Sequence, residues 1–311
     1  MRPLFADPKT DFVFKRIFGT EEHKGVLIAF LNHLLELDEP HRIVEVELLS
    51  PEQRPAVDGL KNSIVDVKCI DARGTRYVVE MQVLNVEGFE KRAVHDAAKT
   101  YLGQLSAGQL YPTQNDIIGV TIADFEIWPE RDPPHVPMLS RWRMQAPEHG
   151  GERDLGQVQL VFLELPKHDA SRPPRTPVEK WAYFFREAGD LKVVPEVLAE
   201  QPFAEALDAA RLSSLRHEEW DAYIDSGMAI QNKRGALALA RRQGHEQGFK
   251  EGIALSRGTG LRAVVRRLLE HRGLTLSPED EARIDACSDL TTLERWLEEA
   301  AVASTAAEAL R

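Results

Sequence analysis

Cysteine is nearly missing from this chain. Two residues in 311, Cys69 and Cys287, cannot build a disulfide framework or a cysteine-based zinc cluster. The ten histidines form no HExxH pair and no CxxC occurs, so a structural zinc site is not expected. No stretch approaches the ~20 apolar residues of a membrane span, and the opening MRPLFADPK has no apolar signal core, which together point to a cytoplasmic protein. Basic residues are in deficit: 39 Lys and Arg against 50 Asp and Glu leave a formal charge of −11. That balance argues against non-specific DNA coating, which draws on clustered Lys and Arg. It leaves room for an enzyme whose cleft joins local basic residues to a metal ion. What remains is ordinary globular composition, 43% hydrophobic and 29% charged, long enough for two compact units or one domain with an extension.

The informative stretch is Asn62 to Leu84, NSIVDVKCIDARGTRYVVEMQVL. Two runs rich in Val, Ile and Tyr flank the turn-like DARGT, with the period of two that strands impose. One face carries Val65, Val67, Cys69, Tyr77, Val79, Met81 and Val83. The other carries Ile64, Asp66, Lys68, Ile70, Val78, Glu80, Gln82 and Leu84, so polar groups interrupt a surface that plain core would fill with aliphatics. A three-residue loop, Ala72-Arg73-Gly74, with Gly74 at positive φ, sets Asp66 opposite Glu80. Cβ atoms of directly opposed residues lie roughly 4.5–5.5 Å apart, so the two carboxylates can share one ion. Without a cation they repel, and a divalent metal, Mg²⁺ first, is the economical explanation. A two-residue loop places Asp66 opposite Met81 and weakens this reading.

Around the hairpin, the periodicity predicts two helical pieces within Asp7 to Leu37, parted near Gly19, and a first strand over Arg42 to Leu49. It predicts a helix over Phe89 to Leu110, strands over Asp116 to Ile127 and Gln157 to Leu165, and a loop or short connector over Pro129 to Gly151. From Val178 onward the chain reads as helical. Gly244, Gly248 and Gly252 recur every four residues, open to two readings: a flexible spacer, slightly favoured, or a self-association seam. A helix over Leu290 to Leu297 is capped by Asp289 or Thr291, and a frayed tail is expected from Ala301. The expected divisions are 1–170 as the core, 171–230 as its helical extension, and 231–311 as a helical tail.

DPKTDFVFKRIFG followed by a helix containing FLNHLL resembles the opening of the Rpn family of recombination-promoting nucleases and putative transposases, within the PD-(D/E)XK superfamily. Three further segments match in order: Ser63-Ile-Val-Asp-Val with Tyr77-Val-Val-Glu-Met-Gln, then Phe89-Glu-Lys-Arg-Ala, then Val161-Phe-Leu-Glu-Leu-Pro-Lys167. The resemblance spans roughly Leu4 to Asp225. It implies an α/β fold with a restriction-endonuclease-like core, a mixed central sheet flanked by helices, followed by an all-helical C-terminal extension. It implies a Mg²⁺-dependent DNA endonuclease in which Asp66 and Glu80 hold the ion and the Met81 carbonyl is a third ligand. Gln82 replaces the lysine of the superfamily consensus, and Lys68, on the face of Asp66, can supply the missing charge. Arg92, Lys99 and Lys15 are candidate phosphate contacts, whereas Asp11 is assigned to packing or helix initiation ahead of catalysis. The alternative is a degenerate nuclease fold that binds DNA or recruits partners. A homo-oligomer through the C-terminal helices is the further expectation.

Overall fold

The computed structural model describes residues 3–53, 63–105, 108–129, 134–146 and 154–311. Asn62 of the hairpin and much of the 129–151 connector lie outside them. Two compact units divide the chain, Met1–Asn232 and Lys233–Arg311.

In the first unit, Asp7 organises the entry to α1 (Asp11–Phe18): its carboxylate accepts from the Lys9 N–H at 3.0 Å and its carbonyl from the Thr10 hydroxyl at 2.8 Å. The helix stops at Gly19, whose N–H returns to the Lys15 carbonyl at 2.8 Å. There α2 (Lys24–Leu35) begins anew, as the Gly19 break predicts. Phe14, Phe18 and Phe30 lie within 5.0 Å of one another in sequence, ring to ring, and meet Trp181 and Phe185 of α4 (Pro177–Glu187). Buried rings of this kind contribute large apolar area plus edge-to-face attraction, so this cluster anchors one side of the sheet. Asn32, within FLNHLL, is buried but fully occupied, exchanging two 2.8 Å hydrogen bonds with the Ile43 backbone. That exchange diverts Arg42 to Glu45 away from the sheet, so the first strand is shorter than its sequence suggests.

The main sheet has the order β1-β4-β5-β6-β8-β7, where β1 is Val46–Leu48, β4 Val67–Asp71, β5 Arg76–Gln82, β6 Ile117–Ala123, β7 Leu139–Gln145 and β8 Asp154–Glu164. Strands β5, β6 and β8 are parallel, and the others pair antiparallel. A pair of two-residue strands, β2 (Glu52–Gln53) and β3 (Ser63–Ile64), forms a separate small sheet. The β7 strand corrects the loop expected over Pro129 to Gly151. Its residues Arg141, Arg143 and Met144 give no apolar alternation around Trp142, and pairing to β8 at the sheet edge makes them a strand.

The hairpin turns as a three-residue loop. Val67 pairs with Val79 and Cys69 with Tyr77, and Gly74 stands at φ +90°. Buried Asp71 fastens the turn, accepting from the Arg73 and Thr75 N–H groups and, through its other oxygen, from the Tyr77 hydroxyl at 3.1 Å. From β5 the chain crosses to β6 through α3 (Phe89–Leu102), shorter than the helix expected to reach Leu110. Gly119 leaves room for the Leu160 side chain of β8, which a Cβ there would approach to 2.9 Å, while Ala97 of α3 would stand in ordinary contact at 3.5 Å.

After α5 (Phe203–Ala209), α6 runs unbroken over His217–His271. Its first turns join the first unit through Tyr223, whose hydroxyl accepts from the Asp7 N–H, and Ser226, which accepts from the Phe12 N–H. The second unit packs the end of α6 with α7 (Pro278–Ala286), α8 (Leu290–Val302) and α9 (Ala306–Ala309) around Val265, Leu269, Ile284, Leu293 and Trp296. Asp289 caps α8 through the Thr292 N–H. Two expectations fail here. The three glycines sit inside a continuous helix, not a flexible spacer, and the segment after Ala301 is no frayed tail: Ala303, Ala306, Ala309 and Leu310 are buried. Arg272 helps hold it, donating to the carbonyls of Ala300 and Ala303 at 2.9 and 2.8 Å. Among the described residues, no helix is long and apolar enough to cross a membrane.

Candidate active site

Asp66 occupies the point where the hairpin opens. The ladder between β4 and β5 ends at Val67 and Val79, while Ser63 and Ile64 leave to pair with β2. Asp66 therefore stands just outside the strand, and its side chain fills the place a continued strand would take. Its Oδ2 accepts from the Met81 N–H at 2.7 Å, and its own N–H donates to Glu80 Oε1 at 3.3 Å. The two acids are thus interlocked through backbone and not merely opposed across a ladder. In a strand, a residue's N–H and C=O point to the same edge, so the Met81 carbonyl faces this notch as well.

Both carboxyl groups are held above their ordinary range. Burial pushes Asp66 up to about 6, against the Met81 hydrogen bond and Lys15, with Asp11 adding to the rise. Glu80 goes to about 9, first through burial and then through the charges of Asp66 and Asp96, offset in part by Arg92. Taking ionised carboxylates from water without a partner is costly, and protonation is the available relief.

Helix α1 reaches this pair. Lys15 Nζ stands 2.6 Å from Asp11 Oδ1 and 3.9 Å from Asp66 Oδ1. The charge of Asp11 adds to the rise at Asp66. On the other side of the sheet, α3 brings Arg92, which donates to Gln82 Oε1, while Gln82 Nε2 donates to the Leu84 carbonyl at 2.7 Å. Both ends of the Gln82 amide are therefore occupied. Lys68, half-buried beside Arg76, makes no ion pair with either acid, and burial with that neighbouring charge lowers its pKa. Lys99 lies seven residues past Arg92, about 10 Å along the helix axis.

Asp96 is the site residue that sequence reading passed over. It is buried on the same face of α3 as Ala97 and Thr100, and its charge raises Glu80. A lone acid inside an otherwise small and apolar stripe was the available signal. Asp11 was visible in the opening motif, but its approach to Asp66 depends on how α1 packs.

The donor set suits a hard divalent cation. Two carboxylates and a carbonyl converge at one notch, and Mg²⁺ commonly takes one or two carboxylates and completes its shell with water and substrate phosphate. Among the described residues, no group of three or more His, Cys, Asp and Glu side chains is arranged to hold a metal. Asp11 and Asp96 act on the pair through charge, raising Asp66 and Glu80 respectively.

A mixed sheet flanked by helices, with paired acids where a hairpin opens onto the central strand, defines a restriction-endonuclease-like nuclease fold. The family model described as PD-(D/E)XK nuclease family transposase matches residues 8–238, and the chain belongs to that family. No curated protein and no solved structure matches it. A nuclease- or transposase-related function follows from membership, and the family's enzymes generally use divalent metal ions.

Proposed function

We propose that the protein is a Mg²⁺-dependent DNA endonuclease that hydrolyses phosphodiester bonds, acting in the cytoplasm in DNA recombination or mobile-element movement. The observation that carries this reading is the interlock of Asp66 and Glu80, two half-buried acids with raised pKa values at a notch that also receives the Met81 carbonyl. Asp66, Glu80 and the Met81 carbonyl would hold the ion, which when bound supplies a lowered water pKa and neutralises charge on the phosphate.

The chain's own residues then divide the remaining work. Lys15, partly exposed beside Asp66, is placed to meet a phosphate oxygen, with Asp11 fixing its ammonium. Arg92 spans Gln82 and the Phe89 ring, 5.8 Å from its centroid, and offers a second cation on the α3 side. Gln82 cannot serve as a base or a cation, so its part is to position Arg92. Lys68 and Lys99 stay in the proposal as outlying contacts to the DNA backbone.

The clamped Gln82 amide also favours a second reading, a protein that keeps metal and DNA affinity but has lost cleavage. One assay separates them. Purified protein is expected to nick supercoiled plasmid with Mg²⁺ and to stop doing so as Asp66→Ala or Glu80→Ala. Equal nicking by the variants rejects the assigned site. Metal binding by calorimetry with no nicking in the wild type selects the second reading.

A further inference from the structure

Among the described residues, nothing covers the middle of α6. Every residue from 231 to 253 is exposed, including Leu237, Leu239, Phe249 and Ile253. A single helix in water is marginal even when rich in alanine, and each interior glycine costs about 1 kcal/mol relative to Ala. Gly235, Gly244, Gly248 and Gly252 all fall in this span, with open space where a side chain would stand. The i,i+4 pairs Lys250–Glu246 and Gln247–Glu251, each 2.8 Å, support the helix in part and leave Leu239, Phe249 and Ile253 uncovered.

We infer that their partner is a second copy of the same helix, running antiparallel, with the two-fold axis passing residue 244. The warrant is a palindrome of chemistry along one face. Stepping by threes and fours from Gly235 through Leu239, Arg242, Glu246 and Phe249 to Ile253 traces a line whose mean period is about 3.6 residues, that of a straight α-helix. Turned end for end about residue 244, that line falls on itself. Leu239 meets Phe249, Gly235 meets Ile253, and Arg242 meets Glu246. Large side chains therefore face large ones or a glycine, and the central charges are opposite. A parallel pair has no such match, since it sets Arg242 against Arg242 and Glu246 against Glu246.

The seam uses residues outside the acid pair, so it stands or falls independently of the nuclease reading. In the full chain with Cys287→Ser, the variants Leu239→Cys, Phe249→Cys and the two combined are oxidised, and the mass of the unmodified protein is measured by light scattering. The expected mass is twice 35.0 kDa. The combined variant is expected to form a covalent dimer, while each single variant does not. Antiparallel pairing holds two copies of the same position ten residues apart along the axis, about 15 Å, beyond the reach of a disulfide. A second measurement uses charge: Arg242→Glu should raise the dimer dissociation constant about tenfold or more, and adding Glu246→Arg should restore it, with helicity unchanged in the dimeric forms. A monomeric mass, self-linking by either single variant, or failure of the combined variant to link overturns the proposal.

Discussion

Two carboxylate sites lie on the same sheet, one fully buried and one half-buried, and they are built in opposite ways. At the end of β8, Glu164 is fully buried, yet every oxygen has a partner: Oε1 meets Lys167 Nζ at 2.8 Å, and Oε2 accepts from the N–H groups of Ile127 at 2.7 Å and Trp128 at 3.2 Å. Lys167 in turn donates to the Val136 carbonyl at 2.7 Å. Two strands away, Asp66 and Glu80 have one backbone donor each, further acids nearby, and cations that lie partly in solvent. The first arrangement is complete as folded and reads as structure. The second is short of positive charge, which is what the proposed metal site rests on.

Breaking the complete site should cost most. Lys167→Met strands Glu164 in the interior, and a loss of about 3–5 kcal/mol is expected in chemical denaturation. If Lys167→Met is silent, the contrast drawn between the two sites fails. The incomplete site should answer in the other direction. Glu80 has a folded pKa of about 9 against an ordinary 4.5, so its protonated form contributes stability that is complete below about pH 4.5 and is lost as pH rises through 9. Glu80→Gln removes that loss, so the metal-free variant should gain on the wild type as pH rises, with a melting point about 2–4 °C higher for each kcal/mol gained.

Metal binding sharpens the same contrast. Near pH 7 Glu80 is protonated and Asp66 mostly ionised, so loading Mg²⁺ should release about one proton, read by calorimetry in buffers of different ionisation enthalpy. Affinity should climb as pH rises toward 9, and a pH-independent affinity would contradict the assignment. The smallest effect belongs to Gln82→Ala, which removes two hydrogen bonds at a partly exposed position. About 0.5–1.5 kcal/mol of stability is the expected loss, together with weaker DNA binding as Arg92 is freed.

Much of the hairpin was legible because its instructions are local. Alternation of Val67, Cys69, Tyr77 and Val79 marks the buried face, and Gly74 supplies the positive φ of a three-residue loop, which together fix the register. The break at Gly19 and the Asp289 cap are equally local. The edge strand β7 was hidden, because Arg141 to Met144 become a strand only when β8 offers them a ladder. Asn32 and Ile43 shortened β1 through a contact that no periodicity encodes.

By itself the sequence determined the family motifs, the hairpin with its register, and the two acids on which the chemistry is placed, since turn residues and strand period act over a few positions. Only the tertiary structure decided that Asp66 leaves the ladder to bind the Met81 N–H, that α1 brings Asp11 and Lys15 to it, and that α3 sets Asp96 against Glu80. The reason is physical: a carboxyl's charge state depends on which distant elements exclude water and which charges they carry in, and that is a property of packing.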